Sequence, residues 1–424
     1  MNQPLSRYVD YMYSYPHKTA YRPFPAPVSL LPYLEQLQGR KASLYFHIPF
    51  CSHKCGYCNL FSLQTNRTEY IATYLDTLRR QAQQLSPLTA GLTFDSFAIG
   101  GGTPLLLTVP QLEQLMATAA LFGVHPSHAF TSVETSPEYA DRPRLNVLKK
   151  AGVSRVSIGI QSFQDEELKA IKRRPRQNTI YQALDDIRQM DFPYFNIDLI
   201  YGIKGQTVES FLYSLEEALR FQPNELFIYP LYVRQGTGIT EREPDDVCFR
   251  MYRAACKLLQ AKGFLQTSMR RFIHHPSTDA EVSCGDEVML SCGSGGRSYL
   301  GYLHYATRYT VCQQCIAREI DEYMATTDFT VARNGFILSA KEQQQRFIIK
   351  NLMYYMGIDK AEYTRRFGEP LDRTPLFRQL AEQHWIEETP ERIRLTPEGL
   401  SYSDYIGQLF ITPGIRQLME TYSY

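Results

Sequence analysis

The chain has 424 residues, 44% apolar and 21% charged, ordinary proportions for a globular protein of about two to three domains with a sizeable core. Lys plus Arg number 45 and Asp plus Glu 44, a net charge of +1, which argues against a dedicated nucleic-acid or anionic-membrane partner. No apolar run approaches the roughly 18 residues that cross a bilayer. The N-terminus also lacks the charged and apolar regions of a signal peptide, so a cytoplasmic protein is expected.

Residues 1–40 carry Pro16, Pro23, Pro25, Pro27 and Pro32 among several tyrosines and read as an irregular N-terminal extension. From position 43, short apolar runs alternate with amphipathic windows. Strands are predicted at 44–48, 94–100, 130–134, 155–161, 196–201 and 225–232, with helices near 67–85, 109–121, 140–150, 177–190 and 207–220. The alternation implies βαβ units and a parallel sheet. Six strands without an obvious seventh and eighth predict an α/β fold, a partial (β/α)6 TIM-type barrel over 41–270. In such a fold, chemistry belongs at the C-terminal strand ends. Two helices are expected to follow, one near 245–262, and then a Gly-rich extension over 271–330 that completes the core. Its loop runs from Gly293 to Tyr299. Over 331–424 the rhythm changes to helical windows near 340–356, 359–367 and 374–384, a hairpin turned at 389–391 and a helix from Pro397. This predicts a mostly helical, winged-helix-like C-terminal domain. It carries few basic residues over 385–412, so it is expected to cap the barrel mouth rather than bind DNA.

The densest chemical signal is Tyr45-Phe46-His47-Ile48-Pro49-Phe50-Cys51-Ser52-His53-Lys54-Cys55-Gly56-Tyr57-Cys58. Cys51, Cys55 and Cys58, spaced C-x3-C-x2-C, follow the first barrel strand. Nine cysteines, an odd number, already point away from a disulfide frame. Three thiolates on one loop suit a [4Fe–4S] cubane. Its fourth iron then stays open to a chelating ligand, as a catalytic centre requires. A Cys3His zinc site using His47 or His53, and three unligated thiols, are the other readings. Further along, Gly100–Gly102 ends the second strand where backbone can approach a ligand closely. Glu134 ends the third strand, Arg155 and Gln161 flank the fourth, and Asp198 lies within the fifth. A buried charge in a strand needs a partner or a ligand. Arg174 belongs to the basic run at 172–176, otherwise a solvated helix end.

C-x3-C-x2-C after a first barrel strand resembles the signature of the radical S-adenosylmethionine superfamily. The wider string from Tyr45 to Cys51 is similar to the group containing oxygen-independent coproporphyrinogen III oxidase. Gly100–Pro104, Glu134-x-Ser136-Pro137, Arg155–Phe163, Asn196–Gly202, Gly293–Tyr299 and Leu395–Gly399 extend the resemblance, in order, over about residues 41–412. It implies a [4Fe–4S] cluster on Cys51, Cys55 and Cys58, and S-adenosylmethionine cleaved to a 5′-deoxyadenosyl radical. Gly101, Gly102 and Thr103 would meet its amino group, Glu134 its ribose or a neighbouring polar group, and Arg174 its carboxylate. Gln161 and Asp198 would also bind the cofactor, and Tyr45 and His47 would lie between cluster and substrate. The implied partners are a small-molecule, tetrapyrrole-class substrate and a flavodoxin- or ferredoxin-type electron donor.

The match departs at Leu60, where the oxidases carry a further Cys. Relatives lacking it include haem-binding chaperones and methyltransferases that bind two S-adenosylmethionine molecules. Methyl transfer with a second S-adenosylmethionine, and a haem carrier using His17, His47 or His274–His275, are therefore the alternatives. The N-terminal run 13–22 resembles a side branch rather than the oxidase proper. Arg22, Arg234, Arg270, Arg271 and Arg297 could receive substrate carboxylates. Cys284, Cys292, Cys312 and Cys315 could form an auxiliary metal site but read as ordinary thiols, and Cys248 and Cys256 as core.

Overall fold

The protein's structure, a computed structural model, describes residues 6–9, 14–124, 129–174, 177–274, 288–371 and 375–423. Strand β1 (Arg22–Ser29) comes first. There follow β2 (Lys41–Ile48), α1 (Thr68–Leu85), β3 (Thr93–Gly101), α2 (Val109–Ala119), β4 (Phe130–Thr135) and α3 (Arg142–Lys150). The alternation continues with β5 (Arg155–Gln161), α4 (Gln177–Gln189), β6 (Tyr194–Tyr201), α5 (Val208–Leu219) and β7 (Glu225–Pro230). Strands β2 to β7 pair in parallel, in chain order. Burial explains the pattern: β2 is covered along nearly its whole length, as a strand with helices on one side and a filled interior on the other must be. Helix α1 buries Ile71, Tyr74, Leu75, Leu78, Ala82 and Leu85 at helical spacing. Phe46 of β2 meets Phe97 of β3 edge-on at 5.0 Å, a contact whose truncation to Ala costs about 3–5 kcal/mol.

After α6 (Asp245–Ala261) the chain forms the hairpin β8 (Phe264–Gln266) and β9 (Arg271–His274); the second expected helix does not appear between α6 and β10 among the described residues, which exclude 275–287. Then β10 (Val288–Cys292), β11 (Arg297–Leu300), β12 (Leu303–Ala306), α7 (Gln313–Ala325) and β13 (Val331–Ile337) complete a thirteen-stranded sheet, ordered β1-β13-β12-β11-β10-β2-β3-β4-β5-β6-β7-β9-β8. Strand β10 pairs in parallel with β2, extending the parallel core past the six expected strands. Residues 1–40 prove less irregular than expected. Pro23, Pro25 and Pro27 lie in β1, an edge strand antiparallel to β13 whose register breaks between Pro23 and Val28. An edge tolerates residues that cannot donate a ladder hydrogen bond.

The C-terminal region comprises α8 (Ala340–Leu352), β14 (Ile358–Asp359), α9 (Lys360–Phe367), α10 (Pro375–Glu382), β15 (Ile386–Glu388), β16 (Arg392–Leu395), α11 (Pro397–Ser401), α12 (Ser403–Leu409) and α13 (Pro413–Glu420). It has its own small sheet, β14-β16-β15. Its separate core gathers Leu352, Phe377, Leu380, Trp385, Ile393 and Ile406, with Tyr15 and Ala20 inserted from the N-terminal segment. Asp404 of α12 pairs with Arg270 beside β9 at 2.5 Å, both nearly fully buried. Arg7 is held between the rings of Phe249 and Tyr402. Among the described residues no helix is long and apolar enough to cross a membrane.

Candidate active site

Beyond β2, Phe50–Cys51 pairs in parallel with Leu63–Gln64, so residues 52–62 close as a loop at the C-terminal edge of the sheet. The Phe50 ring packs edge-on to Tyr74 at 5.0 Å, fixing the loop's root. Cys51 is buried, and Cys55 and Cys58 are half-buried; all three are free thiols. Burial pushes the Cys51 thiol up to about 11, with Cys58 and Cys55 adding to the rise and the Thr103 hydroxyl opposing it. That hydroxyl lies 3.6 Å from the sulfur. Gly102 is required here, because a Cβ would stand 2.4 Å from the Phe50 carbonyl oxygen and 2.9 Å from Cys51 Sγ. Among the described residues no three His, Cys, Asp or Glu converge as ligands of one metal ion. His53 Nε2 lies 2.7 Å from the Lys172 carbonyl, and His47 is likewise engaged, which tells against Cys3His zinc.

One cavity of about 500 Å³ brings together Tyr45, His47, Gly101, Gly102, Thr103, Glu134, Gln161, Arg174 and Asp198 with the three cysteines. The shared register places them there, since β2 to β6 all end at this face. His47 Nε2–H donates to the Phe61 carbonyl (2.9 Å), which leaves Nδ1 to accept from the Tyr45 hydroxyl at 3.1 Å. Burial lowers the imidazole to about 4, so His47 is neutral at physiological pH. Neither ring nitrogen is spare for a haem iron.

Glu134 opens into the cavity and accepts the Gly101 N–H at 3.3 Å. The surrounding protein raises its carboxyl, against the pull of that N–H and of Arg155. Asp198 accepts from Asn196 Nδ2 at 2.7 Å. Burial raises it to about 7, opposed by Asn196 and Arg155. Near neutrality this carboxyl can therefore hold or release a proton. Gln161 sits at φ 76, an uncommon conformation for a non-glycine residue, where the β5–β6 register shifts between Gly159 and Gln161. A bulge of this kind re-aims a side chain, and this one lies in the wall of the site.

The sequence pointed to Arg174, which lies exposed on the cavity wall. It missed Arg173. That guanidinium is buried, with Nη1 at 3.6 Å from Cys55 Sγ and 3.2 Å from the Tyr57 hydroxyl, and it also donates to the Gly159 carbonyl. Its Nε has no hydrogen-bond partner. The run at 172–176 signalled a cation but not which member turns inward. Of the five arginines considered for substrate carboxylates, Arg234 and Arg297 line the cavity, joined by Lys18. The other three are tied elsewhere: Arg22 to the Leu418 carbonyl, Arg270 to Asp404 and Arg271 to Glu225. Leu60 also faces the cavity.

His17 lines an adjoining cavity of about 310 Å³ that shares Asn59, Tyr232, Arg234 and Tyr309 with the main one. His274 packs on Phe264, away from both cavities, and His275 lies outside the described residues, as does Cys284. Cys248 and Cys292 are buried and Cys256 is half-buried.

Residues 45–218 match the Radical SAM superfamily and residues 338–402 match the HemN C-terminal domain. Together the two matches show a HemN/HemW-like radical SAM protein. It is 27% identical to the haem chaperone HemW of Bacillus subtilis, over 84% of this chain and 96% of that one. It is 26% identical to the oxygen-independent coproporphyrinogen III oxidase of Escherichia coli, over 85% and 83%. Its fold matches the solved structure of E. coli coproporphyrinogen III oxidase, HemN, with a TM-score of 0.83 at 23% identity, covering 95% and 97% of the two chains. The radical SAM family uses a [4Fe–4S] cluster and S-adenosylmethionine. The site suits both. It offers three soft thiol donors on one loop, a glycine with no Cβ to crowd the Cys51 sulfur, and a buried guanidinium with an unpartnered N–H beside Cys55.

Proposed function

We propose that the protein cleaves S-adenosylmethionine reductively and directs the resulting radical at a carboxylate-bearing tetrapyrrole. The observation that carries this reading is the larger shared cavity. It joins Cys51, Cys55 and Cys58 to the strand-end carboxyls and to an aromatic wall with Lys18, Arg234 and Arg297. Cys51, Cys55 and Cys58 would hold the cluster. When bound, the cluster and S-adenosylmethionine supply an electron and a 5′-deoxyadenosyl radical, the hard chemistry that a cofactor carries.

The chain's own residues bind, orient and exclude water. Gly101, Gly102 and Thr103 form a close-fitting ledge beside Cys51. Glu134 and Asp198 accept hydrogen bonds from the cofactor's amino or hydroxyl groups, Gln161 is aimed inward by its bulge, and Arg173 and Arg174 offer cations to its carboxylate. Tyr45 and His47 form a neutral hydrogen-bonded pair that holds a proton at the Tyr45 oxygen without placing a charge near the radical. Lys18, Arg234 and Arg297 match propionates, since charge-assisted pairs with carboxylates are strong and directional. A flavodoxin- or ferredoxin-type protein is the proposed electron source.

Oxidative decarboxylation, as in the coproporphyrinogen oxidase relatives, is the parent reading. Leu60 in the cavity wall supports a second: methyl transfer to the tetrapyrrole, with a second S-adenosylmethionine in the space a cysteine would otherwise serve. His17 in the adjoining cavity keeps a haem-carrying role testable as well. The experiment is anaerobic reconstitution followed by turnover with reductant, S-adenosylmethionine and coproporphyrinogen III. Formation of 5′-deoxyadenosine with vinyl product supports decarboxylation; a mass gain of one methyl group on the tetrapyrrole supports transfer. Haem binding lost in His17→Ala, without 5′-deoxyadenosine formation, would replace both with the carrier.

A further inference from the structure

Cys312-Gln313-Gln314-Cys315 opens helix α7 (Gln313–Ala325), with Cys312 at its N-cap and Cys315 in the first turn. Both thiols are free. Cys312 is exposed and Cys315 partly so. Residues three apart at a helix start are neighbours, and C-x-x-C is a spacing that a disulfide closes and that lowers a thiol's pKa. The two sulfurs are not equivalent. Cys312 makes no full capping hydrogen bond, yet the amides of Cys315 and Gln314, the Cys315 thiol and the Arg318 charge favour its thiolate. Cys315 shifts the other way because its thiol donates toward Cys312 and feels that charge. One sulfur is set as nucleophile and its neighbour as resolver.

The helix start is also fastened to the cluster loop. The Tyr309 hydroxyl donates to the Asn59 carbonyl (2.9 Å), and Lys54 Nζ donates to the Val311 carbonyl (3.5 Å). Gln313 bridges the Ser62 carbonyl (2.9 Å) and the Gln64 N–H (2.8 Å). No core packing calls for two cysteines at this surface, and neither lines the main cavity.

We propose that Cys312 and Cys315 form a second reactive site, a dithiol for thiol–disulfide exchange with a disulfide-bearing redox partner. The Cys312 thiolate attacks one partner sulfur; a mixed disulfide forms and the other partner sulfur leaves as a thiol. Cys315, losing its proton, then attacks the Cys312 sulfur and displaces the second partner thiol. The Cys312–Cys315 pair is oxidised by two electrons, the partner disulfide is reduced by two, and both thiol protons end on the partner's sulfurs. The reverse exchange restores the dithiol. The site lies on the segment that braces residues 54–64, so its redox state is read by the loop that carries the cluster cysteines.

The test uses the anaerobically reconstituted holoprotein, incubated with oxidised glutathione and then quenched by alkylation. Trypsin cutting at Arg308 and Arg318 releases Tyr309–Arg318, which contains Cys312 and Cys315 and no other cysteine. The expected result is a peptide lighter by two hydrogens and unalkylated, restored by a dithiol reductant. In Cys315→Ser the glutathione adduct should stay trapped on Cys312. In Cys312→Ser, adduct formation should slow about ten-fold, since the resolving thiol is the weaker nucleophile. Two alkylated cysteines after oxidant treatment, or equal adduct rates in the two variants, would overturn the proposal. So would zinc retained by this peptide and blocking exchange. None of these outcomes bears on 5′-deoxyadenosine formation, which tests the cluster separately.

Discussion

Asp404→Ala offers a quantitative test of how the C-terminal region is joined to the barrel. Asp404 and Arg270 are 1% and 5% exposed and pair at 2.5 Å. The Tyr232 hydroxyl, from the cavity wall, donates to Asp404 and accepts from Arg270. Removing the carboxylate leaves a buried guanidinium without its counter-charge, a loss of about 3–5 kcal/mol for pairs of this burial. The readout is provided by the sequence. Trp385 is the chain's one tryptophan, buried in the C-terminal core and stacked on Tyr402 at 4.5 Å. Its fluorescence therefore reports unfolding of the region that Asp404 anchors. In urea, at an m-value of about 2 kcal/mol/M, the Trp385 midpoint should fall by about 1.5–2.5 M. Asp404→Leu combined with Arg270→Met should recover most of the loss, because a paired apolar replacement leaves no orphaned charge. Because Tyr232 loses its acceptor, KM for the proposed tetrapyrrole substrate should also rise in Asp404→Ala. A midpoint loss equivalent to under about 1 kcal/mol would refute the buried-pair reasoning.

Gly102→Ala places a Cβ 2.4 Å from the Phe50 carbonyl oxygen, a backbone atom that cannot step aside cheaply. Iron and sulfide retained after reconstitution should drop by half or more, and wild-type loading would show that Cys51 tolerates the shift. Arg173→Met should cut 5′-deoxyadenosine formation more than ten-fold and Arg174→Met less than three-fold, since only Arg173 reaches Cys55; the reverse ranking would restore the exposed arginine as the functional one. For His47, the folded-state pKa of about 4 lies below the unfolded value of about 6.5. The unfolded chain therefore takes the proton first. The contribution is complete above pH 6.5 and is lost at up to about 1.4 kcal/mol per unit as pH falls toward 4. Asp198, raised to about 7, acts in the opposite sense between pH 7 and about 3.9, gaining stability on acidification. The difference between wild type and His47→Gln cancels it. Chemical denaturation at pH 7.5 and 5.5 should show wild type losing about 1.3 kcal/mol more than the variant; parallel losses would sink the burial argument.

Much of the barrel was legible because its strands are buried on both faces and its helices on one, so period and apolar run length agree. Strand β5 spans Arg155–Gln161 as the sequence indicates, and the neighbouring elements differ by a residue or two at their ends. The misses have local causes. Strand β1 was hidden by three prolines, which argue against a strand except at an edge, and nothing in the sequence tells an edge from an interior position. Strand β10 is a short run, Val288-Met289-Leu290-Ser291-Cys292, with no periodicity of its own to show, and its partner, β2, lies some 245 residues earlier.

The site divides along a different line. Cys51, Cys55 and Cys58 are readable because a covalent requirement fixes both residue type and spacing. Gly102 and Glu134 stood out because a glycine or a carboxyl at the end of an apolar run contradicts its surroundings, and Asp198 because it interrupts one. Arg173 was not, because Arg173 and Arg174 are chemically identical neighbours and only the fold decides which is turned in. The turn at 171–174 follows the short helix Asp165–Ala170, and Arg173 N donates back to the Leu168 carbonyl. With that turn the Arg173 side chain reaches Gly159 and Cys55, and Arg174 is left exposed. The strained Gln161 was unreadable for a related reason: its φ is set by a register shift against β6, a property of two strands together. Residues whose role depends on which way a segment turns are therefore where substitution in this branch should alter substrate or cofactor handling while every readable motif stays intact.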